Sequence, residues 1–179
     1  LSETNITDNA TSGFHWDSTT NANHGTQYRN GPGTGQIAGG QSFDGNNDYI
    51  DCGTAASLQV GSVRTISAWI RPSVLVNNAG VVSKNSNRGA PHSYLMCCHN
   101  DGTLIAYDSA AWHASTAAGI SAGNWYHVVY LTPGDGNIYF YVNGQARGSG
   151  AFPYANDPAD SVTIGSWYLP YSTIYDFNG

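Results

Sequence analysis

Carboxylate and amide side chains are concentrated in one short segment around Gly45. Asp44, Asn46, Asn47 and Asp48 place four oxygen ligands within five consecutive residues. Calcium binds several oxygens at about 2.3–2.6 Å, from carboxylates, amide carbonyls and the backbone. The segment therefore predicts a calcium site. The alternative is that these side chains cap turns by hydrogen bonding to nearby backbone groups.

A second group of oxygen ligands lies upstream, at Asp17, Asn21 and Asn23. Asp17 is therefore included in the predicted calcium ligand set. Calcium bound by such residues would hold loops in place and would take no part in a reaction.

Softer metal ligands are also close together in the sequence, at His92, Cys97, Cys98 and His99. Their spacing is not one that binds zinc, and adjacent residues of a strand point to opposite faces. Two interpretations of the thiols stay open. Cys52 forms a disulfide with one of the pair in an oxidising compartment, or all three are small buried hydrophobic residues.

Exposed aromatic rings beside polar groups are typical of sugar-binding surfaces, and Trp112 is the first candidate. It lies in Ser109–Ile120, a segment without helical spacing that we predict to be a loop. Asp108 supplies a neighbouring carboxylate that would accept hydrogen bonds from sugar hydroxyls. The alternative is that the ring packs against the protein, as aromatic residues on a β surface commonly do.

The second aromatic candidates are Trp167, Tyr168 and Tyr171, in a segment rich in rings. We expect them to be exposed in a loop, with the same packing alternative. Trp69 and Trp125 lie inside predicted strands and are assigned to the core or its cover.

The elements that position these residues are strands. Thr65–Arg71 alternates apolar and polar residues, and Trp125–Leu131 is apolar on both faces, as in a central strand. Asn137–Val142 runs into Asn143-Gly144, a strong signal for a type I′ hairpin. Further strands are predicted at Ser42–Phe43, Tyr49–Cys52, Gly80–Lys84, Ser93–Cys98, Thr103–Tyr107 and Ser161–Gly165.

No window combines helical spacing with helix caps, and residues 1–40 are polar and rich in Gly and Asn. We predict that those residues form long loops draped on the strands. About ten short strands with glycine-rich turns predict an all-β, two-sheet antiparallel sandwich in a single domain.

The composition limits the function. The chain has 179 residues, a net charge of −6 and only 10% charged residues, against about 25% on average. Six Lys and Arg side chains do not make a nucleic-acid binder, because neutralising phosphates requires clustered cations. No stretch approaches the roughly 18 apolar residues of a membrane span. Abundant Asn, Ser, Thr and Tyr favour an extracellular surface.

Several ordered segments resemble the laminin-G-like, concanavalin A-like jelly-roll domain. The likeness is to the branch found in large secreted bacterial and archaeal proteins, and it extends over nearly the whole chain. The segments that carry it are Asp17–Thr26, Gly35–Gly53, Thr65–Ile70, Gly123–Val129, Ile138–Gly144, Thr163–Gly165 and Phe177–Gly179.

The resemblance implies a jelly-roll fold, and many relatives hold a calcium ion in loops equivalent to those of Asp17 and Asp44. Enzymes on the related glucanase scaffold use two glutamates close to an aspartate on one strand. Glu3 is the only glutamate in the sequence, so this catalytic pair cannot be formed. We therefore predict a protein that is not an enzyme.

The sequence departs from the family at both ends, where the outermost strands of the jelly roll are not recognisable. The sequence opens at Leu1 without a methionine or a leader pattern, as we expect of a mature product or a piece of a longer protein, and Asn5 and Asn9 lie in glycosylation acceptor patterns. We expect residues 1–179 to be either part of a longer protein or a chain that a neighbouring copy completes by strand exchange.

The sequence thus predicts a secreted, non-catalytic recognition or adhesion module at the cell surface or outside the cell. Its expected partner is a polysaccharide or a cell-surface glycan, held by calcium-stabilised loops. The alternative is a structural or protein-interaction subunit of an extracellular layer or filament. A polysaccharide-cleaving enzyme is disfavoured by the missing glutamates.

Overall fold

The computed structural model describes residues 13–84, 93–107, 111–153, 160–167 and 175–179. Several residues singled out in the sequence lie outside these ranges, namely Asn5, Asn9, His92, Asp108, Tyr168 and Tyr171.

The described residues form fourteen strands and one short 3₁₀ turn, Ala56–Leu58. In chain order the strands are β1 (Phe14–His15), β2 (Gly25–Tyr28), β3 (Gly31–Thr34), β4 (Gly39–Ser42), β5 (Tyr49–Asp51), β6 (Val63–Ile70), β7 (Ala79–Lys84), β8 (Tyr94–Cys98), β9 (Leu104–Tyr107), β10 (Trp112–Ala114), β11 (Tyr126–Pro133), β12 (Asn137–Val142), β13 (Gln145–Ala151) and β14 (Val162–Ile164).

Two antiparallel sheets face each other across the core. The larger has the order β1-β2-β5-β14-β7-β8-β9-β10, the smaller has the order β13-β12-β11-β6, and β3 and β4 form a separate hairpin. Inward-facing side chains from both sheets, among them Met96, Leu104, Val128 and Phe140, are almost fully buried. The predicted two-sheet antiparallel sandwich is confirmed.

The strands with the clearest patterns were predicted best. β6 alternates outward and inward residues, with Arg64 and Ile70 buried at its two ends. The hairpin between β12 and β13 turns at Asn143 and Gly144, which have φ values of 51° and 74°. Positive φ at both central residues is what a type I′ turn requires, and Asn-Gly tolerates it.

Two predictions of loops are wrong. The region before residue 40 contains β1, β2, β3 and the start of β4, and these strands are too short or too rich in glycine to show alternation. Ser109–Ile120 contains β10, which pairs with β9 through Trp112↔Tyr107 and Ala114↔Ile105. A three-residue edge strand is shorter than the window in which periodicity can be recognised.

The three cysteines are free thiols. Cys97 and Cys98 are neighbours on β8, and Cys98 joins the main core while Cys97 joins a smaller apolar cluster on the opposite face. Burial raises the pKa of Cys52 to about 11 and that of Cys98 to about 12. Cys97 and Cys98 therefore fit the interpretation as small buried hydrophobic residues, whereas Cys52 is only half-buried.

Candidate functional site

The outer face of the larger sheet carries a second apolar cluster at β8 and β9. Alternation along these strands sends Leu95, Cys97 and Ile105 away from the main core, yet all three are buried. They are covered by Trp167, which follows β14, and Tyr175 packs against the same cluster. The chain beyond β14 therefore supplies a small third layer at this edge of the sheet.

Four aromatic rings continue from this cluster to the surface, and we call them the Trp112 stack. Tyr107 and Trp112 have ring centroids 4.7 Å apart, and Trp112 meets Trp167 edge-on at 5.7 Å. Trp167 stacks on Tyr175 at 4.4 Å, and its Nε1 donates a hydrogen bond to the Asn78 carbonyl oxygen at 2.6 Å. The rings of the stack therefore restrain one another.

Only part of the stack is accessible to a ligand. Trp112 is 44% exposed, whereas Trp167 is 5% exposed. The prediction that Trp167 is exposed in a loop is therefore wrong, because its ring covers Leu95 and Cys97. Tyr107 was missed as a support, although it continues the outward alternation of Ile105 in β9.

An open hollow of about 640 Å³ lies beside the Tyr175 end of the stack. Its polar lining includes Asn77, Asn78, His99 and Asp176. Amide, imidazole and carboxylate groups of this kind hydrogen bond to hydroxyls. The polar lining thus begins at Tyr175, which Trp167 separates from the exposed ring of Trp112.

The Asp44–Asp48 turn lies against Asp176, near the same hollow. Asp48 accepts a hydrogen bond from the Asp44 backbone N–H at 2.8 Å, and Asp176 accepts one from the Asn47 N–H at 2.8 Å. The other carboxylate oxygen of Asp176 accepts from the hydroxyl of Ser166. Asp176 was missed as a member of this group because it lies far from the turn in sequence.

Burial makes ionisation of this group unfavourable. Asp48 is 5% exposed and Asp176 is 2% exposed. Burial raises the pKa of both carboxyls, and the negative charge of Asp44 raises both further. Nearby hydrogen-bond donors oppose this rise without cancelling it.

The oxygen donors suit calcium in type but do not form a complete site. Within the described ranges, no three acidic, histidine or cysteine side chains are grouped as a metal site requires. The side chains of Asn46 and Asn47 hydrogen bond to each other at 3.1 Å. The predicted ligands of this turn thus lie together, but they are occupied largely by turn hydrogen bonds.

Asp17 lies in a different turn. Its carboxylate accepts hydrogen bonds from the N–H and hydroxyl of Thr19 and from the Asn23 N–H, at 2.7–2.9 Å. The negative charge of Asp17 contributes to the raised pKa of Cys52, so Asp17 lies near the end of β5. Asp48 lies just before the start of β5, at the opposite end of that strand. The structure therefore does not bring Asp17 to the Asp44–Asp48 turn.

A further groove of about 370 Å³ runs beside β6. Ile37 of the β3–β4 hairpin and Trp69 of β6 line it, together with Phe43 at its base. Trp69 is 42% exposed, so its assignment to the core or its cover is wrong. Its side chain leaves β6 on the outer face of the smaller sheet, where its ring centroid lies 5.2 Å from that of His127.

The chain belongs to the concanavalin A-like lectin/glucanase superfamily. A model of the laminin-G-like branch of that superfamily matches residues 44–179. No curated protein sequence matches the chain significantly.

Three of the solved structures with similar folds are binding modules or domains. The sialidase carbohydrate-binding module CBM40 of Ruminococcus gnavus, bound to α2,3-sialyllactose, has a TM-score of 0.58 at 15% identity, over 70% of this chain and 75% of that one. The binding domain of Paraclostridial mosquitocidal protein 1 has a TM-score of 0.60 at 16% identity, over 83% of this chain and 40% of that one. The botulinum neurotoxin serotype G binding domain has a TM-score of 0.57 at 15% identity, over 91% of this chain and 44% of that one.

The chain spans less than half of the two toxin domains. At these identities the likeness establishes the jelly-roll fold. In the described part of the chain, no helix has the length and hydrophobicity needed to span a bilayer.

Proposed function

We propose that this protein is a secreted, non-catalytic module that binds polysaccharide or cell-surface glycan. The observation that carries the proposal is the exposed ring of Trp112, held by the Trp112 stack beside a polar hollow. The similar fold of a carbohydrate-binding module supports it.

The Trp112 indole offers a rigid apolar surface. The apolar face of one pyranose ring can cover Trp112, while a further sugar of the same glycan can hydrogen bond to the polar groups of the hollow at the Tyr175 end of the stack. Because Tyr107 and Trp167 restrain the indole, little side-chain entropy remains to be lost on binding. Exposed, restrained tryptophans of this kind are frequent hot spots in recognition surfaces.

A glycan array followed by calorimetry tests this function. Trp112→Ala should weaken binding by about 30-fold, the equivalent of a 2 kcal/mol hot spot. Tyr141→Ala is the matched control, because Tyr141 is a partly exposed strand residue on the smaller sheet. Equal affinities for both variants, with unchanged circular dichroism, would contradict the role of Trp112.

We also propose that calcium binds at the Asp44–Asp48 turn together with Asp176. The support is the unfavourable burial of Asp48 and Asp176 as anions, which a bound cation would relieve. The ion would hold the turn against the chain near Asp176. The test is the melting temperature in calcium and in chelator, and equal values would exclude the site.

The alternative function is a protein-interaction subunit that exchanges a strand with a neighbouring copy. Among the described strands, β6 pairs with β11 on one side only, and the groove lies beside its other edge. Exposed Ile37, at 73%, forms part of the groove wall. A strand added there would pair its backbone with β6.

Light scattering tests this alternative. A dimer that Ile37→Asp dissociates would support it, because the added charge would lie beside the incoming strand. Val74→Asp is the control, since Val74 is also exposed, at 52%, but does not line the groove. A monomer at all concentrations would contradict strand exchange.

A further inference from the structure

The most exposed aromatic ring pair of the described surface lies far from Trp112, at β1. Phe14 is 55% exposed and Trp16 is 61% exposed. Trp16 packs edge-on against His24 with centroids 4.6 Å apart, and Phe14 lies 6.4 Å from Trp16. We call Phe14, Trp16 and His24 the Trp16 patch.

The loop that carries the patch is held in shape by hydrogen bonds. The Asp17 carboxylate accepts hydrogen bonds from Thr19 and Asn23. The Asp17 N–H donates to Nδ1 of His24 at 3.1 Å, so in the neutral imidazole the proton is on Nε2. Ser57 donates to the Asn23 side chain at 2.8 Å, which ties the loop to the segment after β5.

Two donors of the patch remain available to a ligand. Among the described residues, neither Nε1 of Trp16 nor Nε2 of His24 has a hydrogen-bond acceptor within reach. A ligand that covers the indole face and accepts hydrogen bonds at its edge would satisfy both. A pyranose has this combination of an apolar face and peripheral hydroxyls.

The charge around the patch selects among sugars. The Asp17 carboxylate lies next to Trp16, hydrogen bonds lower its pKa, and the whole chain has a net charge of −6. A carboxylated sugar would be repelled, whereas a neutral sugar would not.

The register of the larger sheet places the patch and Trp112 on one face. Phe14 pairs with Thr26, and Thr26 with Asp51. Across the sheet, Asp51 pairs with Thr163, and Thr163 with Ser83. Ser83 in turn pairs with Leu95, whose side chain is on the outer face. Residues directly opposite each other point to the same side of a sheet.

Trp112 also lies on that outer face, because it pairs with Tyr107 beside Ile105 of the outer cluster. Among the strands of the described ranges, β1 and β10 are the two edges of the sheet, seven inter-strand steps apart. At about 4.8 Å per step the two rings are separated by roughly 34 Å along the sheet. One extended polysaccharide could therefore contact both.

We propose that the Trp16 patch is a second glycan-binding site, selective for neutral pyranosides, which acts together with Trp112 on one polysaccharide chain. The inference rests on the proposed glycan-binding function. Two sites on one face raise the avidity for a polymer by about 10²–10⁴-fold over either site alone when the geometry permits both contacts.

The experiment is calorimetry with hexasaccharides of β-1,4-glucan, β-1,4-galactan and α-mannan, and with sialyllactose and polygalacturonate as acidic probes. Wild-type protein should bind two molecules of one neutral hexasaccharide. Trp16→Ala and Trp112→Ala should each bind one, and the double variant none. Tyr141→Ala should still bind two.

The corresponding polysaccharide gives a second measurement. Each single tryptophan variant should lose at least about 100-fold in affinity for the polymer, because avidity is lost with either site. Trp16→Phe keeps the ring but loses the indole N–H, so it should retain a weakened second site. Circular dichroism and melting temperature confirm that each variant is folded.

The possible failures are distinguishable. One bound hexasaccharide, lost in Trp112→Ala and unchanged in Trp16→Ala, would overturn the second site and leave the proposed function intact. No binding of any probe would overturn both. Preferential binding of the acidic probes would overturn the proposed selectivity for neutral sugars. A change in the oligomeric state of Trp16→Ala without a change in its glycan binding would overturn the second site and make the patch a protein contact.

Discussion

Asp17 and Asp48 both accept backbone hydrogen bonds in Asx-rich turns, but their environments shift their pKa values in opposite directions. Hydrogen bonds from Thr19 and Asn23 lower the pKa of the exposed Asp17 carboxyl. Burial raises the pKa of Asp48, although Asp44 donates a hydrogen bond to it. The comparison shows that similar local chemistry stabilises a charge in water and fails to do so where water is excluded.

The largest expected effect is the response to calcium. If the buried turn binds the ion, calcium at 100 times its dissociation constant should raise the free energy of unfolding of the wild-type protein by about 2.7 kcal/mol. Asp48→Asn should abolish the accompanying rise in melting temperature, and Asp17→Asn should keep it. Calorimetric melting with calcium or chelator measures the difference, and loss of the response in Asp17→Asn alone would reverse the assignment.

The next effect is the stability of Asp48→Asn in chelator at pH 7. Its amide oxygen can still accept the Asp44 N–H, but no charge has to be buried. We expect the free energy of unfolding to rise by about 1 kcal/mol, which corresponds to a rise in melting temperature of about 2–4 °C in a domain of this size. Denaturant unfolding measures it. A loss of stability would mean that a cation in the protein already neutralises Asp48.

The pH dependence follows from the same shift. The folded pKa of Asp48 lies above its ordinary value of 3.8, so ionisation costs stability as the pH rises through the folded value. The advantage of Asp48→Asn should therefore be present at pH 7 and shrink as the pH falls towards 3.8. Unfolding curves at a series of pH values test this. A constant advantage would assign the effect to packing.

The smallest effect is expected for Asp17→Asn. Because the folded pKa of Asp17 is below 3.8, the ionised carboxylate stabilises the turn above that pH, and this contribution is lost as the pH falls through the folded value. We expect a small decrease in melting temperature at pH 7, opposite in sign to that of Asp48→Asn. An increase would show that both turns are governed by repulsion.

How far the sequence predicts the fold depends on the length of each strand. β6 and β12 show alternation over six residues or more, and the Asn143-Gly144 turn has a backbone requirement that few residues meet. β3 and β10 have no such signal, because a short strand at an edge is defined by its partner. Propensity over three or four residues cannot show that partner.

The candidate site was likewise predicted only in part from the sequence. Trp112 was recognisable by its residue type and its polar neighbours, but its strand and its supporting rings were not. Trp16 was missed because its role depends on exposure beside an edge strand, and the contact of Asp176 with the Asp44–Asp48 turn was missed because the two are distant in sequence. Neither property has a local sequence pattern.

The sequence by itself determined the antiparallel sandwich, the lack of a glutamate pair and the concentration of Asx residues in turns, since these depend on residue types and short-range spacing. Only the tertiary structure decided that Trp167 is covered, that Trp112 and Phe14 lie on one face, and that Asp48 is buried while Asp17 is not. Exposure and charge stabilisation depend on which distant segments exclude water, and that is fixed when the sheets and the chain after β14 pack together.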